Sequence, residues 1–322
     1  MNPDFKDYLL NVTDSSACEE VEIIQSLWSG YGKISRYKLQ GSTLDTVVVK
    51  HISLNHVNEH PRGWNTDHAH NRKVKSYEVE ILWYQQWNQQ CKESSRTAKF
   101  IGSLSQETEQ WIIMEDLDAQ YPLRKQHLDL SEIKTCLHWL ANFHGTFMSQ
   151  ESVGLWQIGT YWHLDTRPEE FEKIEHQELK LKAHQIDELL NSCTYQTIVH
   201  GDAKLANFCF SASGENVAVV DFQYVGRGCG MKDVVYFLGS CLSSDECETH
   251  NEALLDFYFS ALEKALGNGT LGSEFKALEQ EWRNMFPIAW TDFTRFLFGW
   301  MPSHQKVNNY SLSVMQSVLL SL

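Results

Sequence analysis

The segment from Ile198 to Asp221 constrains the fold of this chain more than any other part of its 322 residues. It reads I-V-H-G-D-A-K-L-A-N-F-C-F, then a short turn, then V-A-V-V-D-F-Q. Apolar runs rich in β-branched and aromatic residues, bounded by turn residues, predict short strands. We therefore expect the polar residues after Val199 to form one tight loop, followed by a hairpin that returns the chain to Asp221.

Four residues of this segment point to a chemistry: Asp202, Lys204, Asn207 and Asp221. An aspartate, a lysine two positions on, an asparagine five positions on and a distant second aspartate have the spacing used for phosphoryl transfer from ATP. In this interpretation Asp202 accepts the proton of a substrate hydroxyl and Lys204 balances the γ-phosphate. Asn207 and Asp221 supply the oxygen ligands that Mg²⁺ prefers.

The alternative interpretation of D-A-K-L-A-N is a solvated turn between two strands. It is disfavoured because three features coincide: the flanking apolar runs, H-G before Asp202, and D-F-Q at the right distance. His200 is interpreted as a brace for the loop, since Asp202 already fits the acceptor role. Asp233 is either the N-cap of the next helix or a buried brace for the loop. The cap alone is the more economical interpretation, although both roles are compatible. His144, on an apolar helix face, is interpreted as a core histidine.

A second group of candidate residues lies upstream, where T-V-V-V-K-H-I predicts a strand over 46–52. Lys50 in this strand is interpreted as the lysine that contacts the α- and β-phosphates, held by a glutamate of the next helix. Glu80 is preferred to Glu78 as that glutamate. A lysine that merely protects a strand edge is the alternative, and the downstream motif weighs against it.

A turn at Gly41, Ser42 and Thr43 is a candidate phosphate cover, because backbone N–H groups of such turns bind anions. A single glycine in a hairpin is more often only a turn. The G-R-G-C-G run at 226–230 resembles a dinucleotide loop superficially, but its spacing is wrong and D-F-Q precedes it. That interpretation is rejected. The histidine-rich stretch over 55–71 predicts a solvated loop rather than a metal site.

The aromatic residues of the C-terminal region raise a possible ligand site. Trp290 and Trp300, with Asp292 between them, could hold a cationic or ring-bearing alcohol. Packing in the core is the stronger alternative, because aromatic side chains readily fill cores.

The order of elements predicts a mixed first part, 1–117, and a mostly helical second part, 118–322. The predicted elements of the first part are a helix at 15–30, strands at 34–40, 46–52, 100–104 and 111–114, and a helix at 73–89. In the second part Asp129 and Glu132 form a capping-box pattern at the start of a helix. Further helices are predicted at 169–190, 232–241, 252–266 and 275–285.

Composition limits the kinds of molecule that the chain is expected to bind. The formal net charge of −15 disfavours nucleic acid and requires a local positive pocket for a nucleotide, which Mg²⁺, Lys50 and Lys204 could supply. The eight cysteines contain no C-x-x-C pair, so a zinc site is disfavoured. No signal-peptide core or membrane-length apolar run is found. We expect a cytoplasmic protein with no membrane partner, and its oligomeric state is left open.

The motifs together resemble the aminoglycoside phosphotransferase and choline kinase superfamily. The resemblance rests on H-G-D-A-K-L-A-N-F, V-V-D-F-Q, V-V-V-K and W-I-I-M-E-D-L. The stretches S-Y-E-V-E-I-L-W-Y and L-A-N-F-H-G resemble its ecdysteroid-kinase-like branch. The resemblance implies an α+β, bilobal protein-kinase-like fold. Its small N-lobe would hold an antiparallel sheet and one main helix, its larger C-lobe would be mostly helical, and ATP would bind between the lobes.

The resemblance also implies roles for individual residues. Asp202 would be the catalytic base, Asn207 and Asp221 the magnesium ligands, and Lys50 with Glu80 the phosphate-positioning pair. The connector would bind adenine through the backbone of Glu115 and Leu117. D-F-Q stands where many relatives have D-F/W-E or D-F-G.

The expected activity is ATP- and Mg²⁺-dependent phosphorylation of a small-molecule hydroxyl, on a choline-, aminoglycoside- or ecdysteroid-like alcohol. A catalytically weak or dead nucleotide-binding scaffold is the alternative. A protein kinase is disfavoured, because the helix predicted from Lys232 leaves no room for an activation segment and no A-P-E follows.

Overall fold

The N-terminal part of the chain is built on a five-stranded antiparallel sheet with the order β1-β2-β3-β5-β4. The computed structural model describes residues 1–27, 30–54, 67–267 and 274–322, except for the side chain of Asp67. The strands are β1 (Ala17–Ser26), β2 (Gly32–Gln40), β3 (Thr46–Ser53), β4 (Phe100–Gln106) and β5 (Glu109–Glu115). The central strands β3 and β5 carry the longest runs of β-branched and aromatic residues, which suits a buried pleated surface.

Two helices accompany this sheet. Helix α1 (Pro3–Val12) is capped by the side chain of Asn2 and packs Phe5 and Leu9 into the core of the sheet, where the Phe5 ring stacks on Trp111 at 5.1 Å. This helix was not predicted. Helix α2 (Asp67–Leu82) runs on into a π-turn at Trp83–Trp87. The histidine-rich stretch lies outside the described residues up to residue 66, whereas residues 67–71 belong to α2 and not to a loop.

The helix predicted at 15–30 is wrong, because Ala17–Ser26 is strand β1. β1 pairs with β2 from Ala17↔Gln40 to Ser26↔Lys33, with irregularities between Glu20 and Glu22 and between Ile23 and Gln25. Each bulge inserts a residue and breaks the alternation of faces. The apolar residues then recur at a spacing that imitates a helix.

The second part combines two short antiparallel strand pairs with seven described helices. Strand β6 (Thr197–Val199) pairs with β9 (Gly226–Gly228), and β7 (Phe208–Phe210) pairs with β8 (Val217–Val219), which confirms the predicted hairpin. The helices are α3 (Leu130–Thr146), α4 (Pro168–Glu172), α5 (Gln177–Asn191), α6 (Met231–Cys241), α7 (Ser244–Leu266), α8 (Phe275–Trp300) and α9 (Asn309–Ser321).

Helix starts were predicted better than helix ends. The Asp129–Glu132 capping box is present at the start of α3. The helix predicted at 169–190 is instead two helices, α4 and α5, and α5 begins after the cap of His176. Helix α8 continues through Pro287 to Trp300, far beyond the predicted end at 285. Helix α9 was not predicted.

These elements divide into two compact units. One consists of Met1–Gln90 with Thr97–Pro122, and the other of Cys91–Arg96 with Leu123–Leu322. The predicted boundary between 117 and 118 lies five residues from the division at Pro122. Among the described residues, no helix combines the length and apolar character that a membrane crossing requires.

Candidate functional site

The loop after β6 gathers three of the predicted site residues around one carboxylate. Lys204 Nζ donates to Asp202 Oδ2 at 2.8 Å, and Asn207 Nδ2 donates to the same oxygen at 3.3 Å and to the Asp202 carbonyl at 2.8 Å. A single 3-10 turn over Leu205–Asn207 brings the asparagine back toward the aspartate. Asp202 is buried except for 7% of its surface, so the loop presents one oriented acid in a largely enclosed place.

His200 holds this loop against the strand hairpin. The N–H of Asp202 donates to His200 Nδ1 at 3.2 Å, so Nδ1 is an acceptor and the opposite nitrogen carries the proton. That nitrogen, Nε2, donates to the carbonyl of Val220 at 3.0 Å. Both ring nitrogens are therefore engaged, which confirms the interpretation of His200 as a brace.

Asp233 holds the same loop through hydrogen bonds to its backbone. Its carboxylate accepts the N–H of His200 at 2.6 Å and that of Gly201 at 2.9 Å, and it lies 3.1 Å from His144 Nε2. The other nitrogen of His144 lies 2.8 Å from the hydroxyl of Tyr258. The N-cap of α6 is Gly230, so Asp233 is a buried brace for the loop and not the cap. His144 is a fully buried core histidine, as predicted.

Asp221 follows β8 in an unusual backbone conformation. Its φ of 73° lies in the left-handed region, which a residue other than glycine adopts only at a cost in free energy. Gln223 Nε2 donates to Asp221 Oδ1 at 2.6 Å. The N–H of Val220 donates to the carbonyl of Asn207 at 3.1 Å, which ties Asp221 to the loop of Asn207. The glutamine of D-F-Q thus orients the aspartate.

These residues fit a magnesium ion supported by few protein ligands. Asn207 uses Nδ2 for its hydrogen bonds, and its Oδ1 has no hydrogen-bond partner in the part of the chain that the structure describes. In that same part, no cluster of three or more His, Cys, Asp or Glu could hold a metal. Mg²⁺ commonly takes one or two protein oxygens and completes its shell with phosphate oxygens and water. An amide and a carboxylate oxygen are such a pair.

Lys204 remains charged in this setting. Burial disfavours its ammonium, but Asp202 and Asp221 outweigh burial and raise the pKa of Lys204 above its ordinary value. Both carboxylates therefore act on this lysine, although only Asp202 is in direct contact with it. The loop offers a fixed positive charge beside two acids.

In the first unit, Lys50 and Glu80 form a buried ion pair. Lys50 Nζ lies 2.5 Å from Glu80 Oε2, and the two side chains are 3% and 2% exposed. Glu78 is exposed, which decides between the two candidate glutamates. Burying a charged pair has a desolvation cost that the pair alone rarely recovers, so its presence is better explained by a need for an oriented ammonium.

The connector after β5 is held by an arginine that the sequence did not single out. Arg36 of β2 donates to Asp116 through Nε at 2.6 Å and also pairs with Asp118. Hydrogen bonds from Arg36 and Thr46 outweigh burial and hold the pKa of Asp116 below its usual value.

Two backbone groups of the connector were predicted to bind adenine. The N–H of Glu115 donates to the carbonyl of Lys99 at 2.9 Å. Leu117 starts a 3-10 turn, and its N–H has no hydrogen-bond partner within the described ranges. Leu117 therefore has a backbone donor to offer, whereas the N–H of Glu115 is already engaged.

The Gly41–Thr43 turn lies at the wrong end of its hairpin for a phosphate cover. Thr46, next to this turn, is four residues from Lys50 along β3, roughly 13 Å at strand spacing. Ser42 Oγ donates to the carbonyl of Thr13, at the end of α1, at 2.5 Å, so the serine hydroxyl is already engaged. At the opposite end of β2, Gly30 has φ 75° and Gly32 pairs with Ile52, which is only two residues from Lys50 along β3. We therefore remove Ser42 from the candidate site.

The glycines of G-R-G-C-G are explained by packing. A Cβ on Gly226 would lie 2.2 Å from the carbonyl oxygen of Trp156, and one on Gly230 would lie 2.5 Å from the Trp282 ring. Gly226–Gly228 is a strand, β9, and not a loop that opens onto a helix as a dinucleotide loop does. This supports the rejection of that interpretation.

The aromatic cluster of α8 does not offer a free carboxylate to a cation. Asp292 Oδ1 accepts from Arg295 Nε at 2.8 Å, and Oδ2 accepts from Trp162 Nε1 at 3.0 Å. Asp292 is 2% exposed. Trp290 is likewise buried, so core packing is the better interpretation of this region.

Two residues that the sequence did not reveal complete the surroundings of Asp202. Burial, together with the charge of Asp202 and the neighbouring Tyr161, raises the pKa of Tyr236 well above its ordinary value, and the ring centres of Tyr236 and Tyr161 lie 5.5 Å apart. The Nζ of Lys306 lies 4.5 Å from the centre of the Tyr236 ring. Tyr236 lies on α6 and Lys306 between α8 and α9, with no motif around either, so only tertiary structure relates them to Asp202.

Comparisons with solved structures show the fold. An ethanolamine kinase of Plasmodium vivax aligns with a TM-score of 0.54 over 98% of this chain and 86% of that one, at 12% identity. A microcompartment-associated aminopropanol kinase aligns with a TM-score of 0.52 over 97% and 93%, at 13% identity. The expected α+β, bilobal protein-kinase-like fold is confirmed. No curated protein sequence matches the chain.

A family model supplies the sequence relationship. Residues 127–316, which are 190 of the 322 residues, match the family DUF1679, described as "Uncharacterized oxidoreductase dhs-27". The match includes the whole of the loop from His200 to Asn207 and the hairpin to Asp221. The chain therefore belongs to the DUF1679 family.

Proposed function

We propose that this protein transfers the γ-phosphoryl group of ATP to a hydroxyl group of a small molecule. The observation that carries the proposal is the loop in which Lys204 and Asn207 both donate to the carboxylate of Asp202. His200 donates to the carbonyl of Val220 and so fixes this loop to the hairpin that leads to Asp221. Phosphoryl transfer requires mainly that the protein position the reacting groups and compensate the charge of the phosphates, and this arrangement supplies both.

In the proposed reaction the acceptor oxygen forms a bond to the γ-phosphorus while the bond from that phosphorus to the bridging oxygen breaks. ADP leaves, and the hydroxyl proton passes to the carboxylate of Asp202. Lys204 and Asn207 hold Asp202 in one orientation, which is what a general base requires. Lys204 also brings a positive charge to the developing negative charge of the phosphoryl group.

Further groups are proposed to bind the nucleotide. The ammonium of Lys50, oriented by Glu80, would contact phosphate oxygens. The backbone of Glu115 and Leu117 would bind the adenine edge, as the resemblance implies. Asn207 and Asp221 would hold Mg²⁺, which would neutralise phosphate charge when bound.

The named relatives support the acceptor class only coarsely. The two solved structures are described as kinases of ethanolamine and of aminopropanol, and both of these compounds carry a hydroxyl group. At 12% and 13% identity the choice of acceptor is not transferable, because function resides in the site rather than in the fold.

Three alternatives are weaker. The family description mentions an oxidoreductase, and such an enzyme would need a loop that binds a dinucleotide. In the G-R-G-C-G run, the candidate for that loop, Gly226 and Gly230 are explained by packing. A protein kinase would need an activation segment after Asp221, yet α6 begins ten positions later, at Met231. An inactive nucleotide-binding scaffold would not need Asp202 to be oriented by two donors.

The test is transfer of labelled phosphate from ATP to components of a small-molecule extract, in the presence of Mg²⁺. We expect labelled organic phosphate with the wild type, and a loss of at least about a thousandfold in Asp202→Asn and Asp221→Asn, since each removes a charge used in the transition state. Asp245→Asn, at an exposed position of α7, is the matched control and is expected to keep full activity. Tight ATP binding without any labelled product would support the scaffold instead.

A further inference from the structure

Lys306 contacts two aromatic rings, Tyr236 and Phe293, which together are called the aromatic wall and lie close to Asp202. It belongs to the segment between α8 and α9, and its Nζ lies 4.5 Å from the ring centre of Tyr236 and 5.4 Å from that of Phe293. Both rings are buried, at 5% and 4% exposure. Aromatic faces attract an ammonium group, but they replace only part of the hydration it loses on burial.

The ammonium of Lys306 lacks a direct polar partner. Across residues 1–27, 30–54, 67–267 and 274–322, no hydrogen bond or ion pair to its Nζ is present. Burial lowers the pKa of Lys306 to about 8, although Asp202 acts in the opposite direction. A charged group held in this way weakens the folded state unless something else uses the charge.

Tyr236 relates this ammonium to the catalytic loop. The face of its ring meets Lys306, and its ring centre lies 5.5 Å from that of Tyr161. The N–H of Tyr161 donates at 3.1 Å to the carbonyl of Gly201, the residue before Asp202. The ammonium is therefore separated from the loop of Asp202 by two packed aromatic side chains, a span that a small alcohol with a second polar group can cover.

The same wall is poorly suited to a cationic acceptor. Asp292, a carboxylate among these aromatic residues, is fully engaged by Arg295 and Trp162. An ammonium alcohol placed with its hydroxyl at Asp202 would meet the positive charge of Lys306 instead of a carboxylate. Like charges in a poorly solvated site repel strongly, so such a compound would bind weakly.

We propose that Lys306 is a specificity-determining residue, whose ammonium binds an anionic group of the acceptor alcohol while the acceptor hydroxyl faces Asp202. The acceptor class is then an alcohol that carries a carboxylate, sulfate or phosphate ester. This differs from the amino alcohols named for the two solved structures. The proposal rests on the proposed function, since it concerns the acceptor of that reaction. It also reconciles an anionic ligand with a chain of net charge −15, because recognition is local.

A binding experiment tests this without turnover. Asp202→Asn protein with Mg²⁺ and ADP is titrated with a fixed library in which each anionic alcohol is matched by a neutral and an ammonium isostere. We expect at least one anionic member to bind about tenfold or more tightly than both of its isosteres. Lys306→Met should abolish this difference, and Lys306→Glu should favour the ammonium member. Lys276→Met, at an exposed position of α8, should leave the preference unchanged.

The proposal is overturned if no anionic member binds better than its isosteres, or if the preference survives in Lys306→Met. A turnover experiment with wild-type protein separates this inference from the proposed function. Phosphorylated ammonium alcohols as the main products would refute the role of Lys306 and leave the kinase activity standing. Charge-selective binding without transfer would refute the kinase activity and leave the role of Lys306 standing.

A role of Lys306 at the transferred phosphoryl group is the rival explanation. In that case Lys306→Met would lower kcat equally for all acceptors and leave their relative KM values unchanged. Our proposal predicts the opposite: KM rises about tenfold for the anionic acceptor, and little for its neutral isostere. Equal loss for both acceptors would therefore contradict it.

Discussion

At the scale of single residues, the candidate site depends on a few buried charges with defined partners. Asp233 is an example: its fully buried carboxylate accepts two backbone N–H groups of the loop after β6 and contacts His144. A substitution here removes the brace without touching Asp202 directly. Asp233 is therefore a positioning residue, whereas Asp202 is the residue proposed to react with the substrate.

Asp233→Asn should lower the free energy of unfolding by about 2–4 kcal/mol, because an amide cannot accept from all three donors with the strength of a carboxylate. It should also lower kcat while Mg²⁺-ATP binding is largely retained. Urea denaturation measures the first effect, with exposed Asp165→Asn as the control. A change smaller than about 0.5 kcal/mol would show that the brace is dispensable.

Lys306→Met should stabilise the protein at pH 7, by about 1–3 kcal/mol, since it removes a poorly solvated charge. The folded-state pKa of about 8 lies below the ordinary 10.5. Between these pH values the unfolded chain keeps a proton that the folded chain has lost, so wild-type stability rises with pH. The advantage of the variant should therefore shrink from pH 8 to 10.5. Denaturation of both proteins across this range checks the sign, and a constant difference would contradict it.

At the scale of elements, strands and hairpins were predicted well where short runs of β-branched residues occur, as in T-V-V-V-K-H-I. Prediction failed where tertiary contacts override the local pattern. Strand β1 imitates a helix because two bulges break its alternation, and α8 passes Pro287, which would end an isolated helix. Helix α1 was missed although Asn2 and Pro3 form a clear start.

The connector between the two units gives a prediction at this scale. Arg36→Met should leave Asp116 without its main partner and lower the free energy of unfolding by about 1–3 kcal/mol at pH 7. The pKa of Asp116 is held below its usual value, so its contribution is present above the unfolded-state pKa and is lost as pH falls through the folded-state pKa. The difference between wild type and variant should therefore vanish in acid. A difference that persists there would rule out this ion pair as its source.

The two hairpin turns of the sheet provide a second prediction. Ser42→Ala should leave the KM for ATP within about twofold of wild type, because the Ser42 hydroxyl is already engaged by the carbonyl of Thr13. Gly30→Ala should raise that KM several-fold, since Gly30 has φ 75° and lies in the turn at the Lys50 end of β3. Steady-state kinetics at saturating acceptor compares the two. A large effect of Ser42→Ala would restore the Gly41 turn as the phosphate cover.

At the scale of the whole molecule, the sequence predicted which residues of one loop lie together better than it predicted distant neighbours. Asp202, Lys204, Asn207 and Asp221 lie in one short segment, so their spacing alone predicts their neighbourhood. Lys306 is related to the loop of Asp202 through the rings of Tyr236 and Tyr161, from a segment about a hundred residues further along the chain. Such a contact depends on helix packing, which leaves no local pattern to detect.

Phosphorus NMR of the reaction mixture tests the central claim most directly, because it follows where the γ-phosphate goes. Wild-type protein with Mg²⁺, ATP and the best-binding anionic alcohol should produce ADP and a phosphate monoester in equal amounts, and Asp202→Asn should produce neither. ADP accompanied only by inorganic phosphate, or equal monoester formation by the Asp202→Asn variant, would contradict the account.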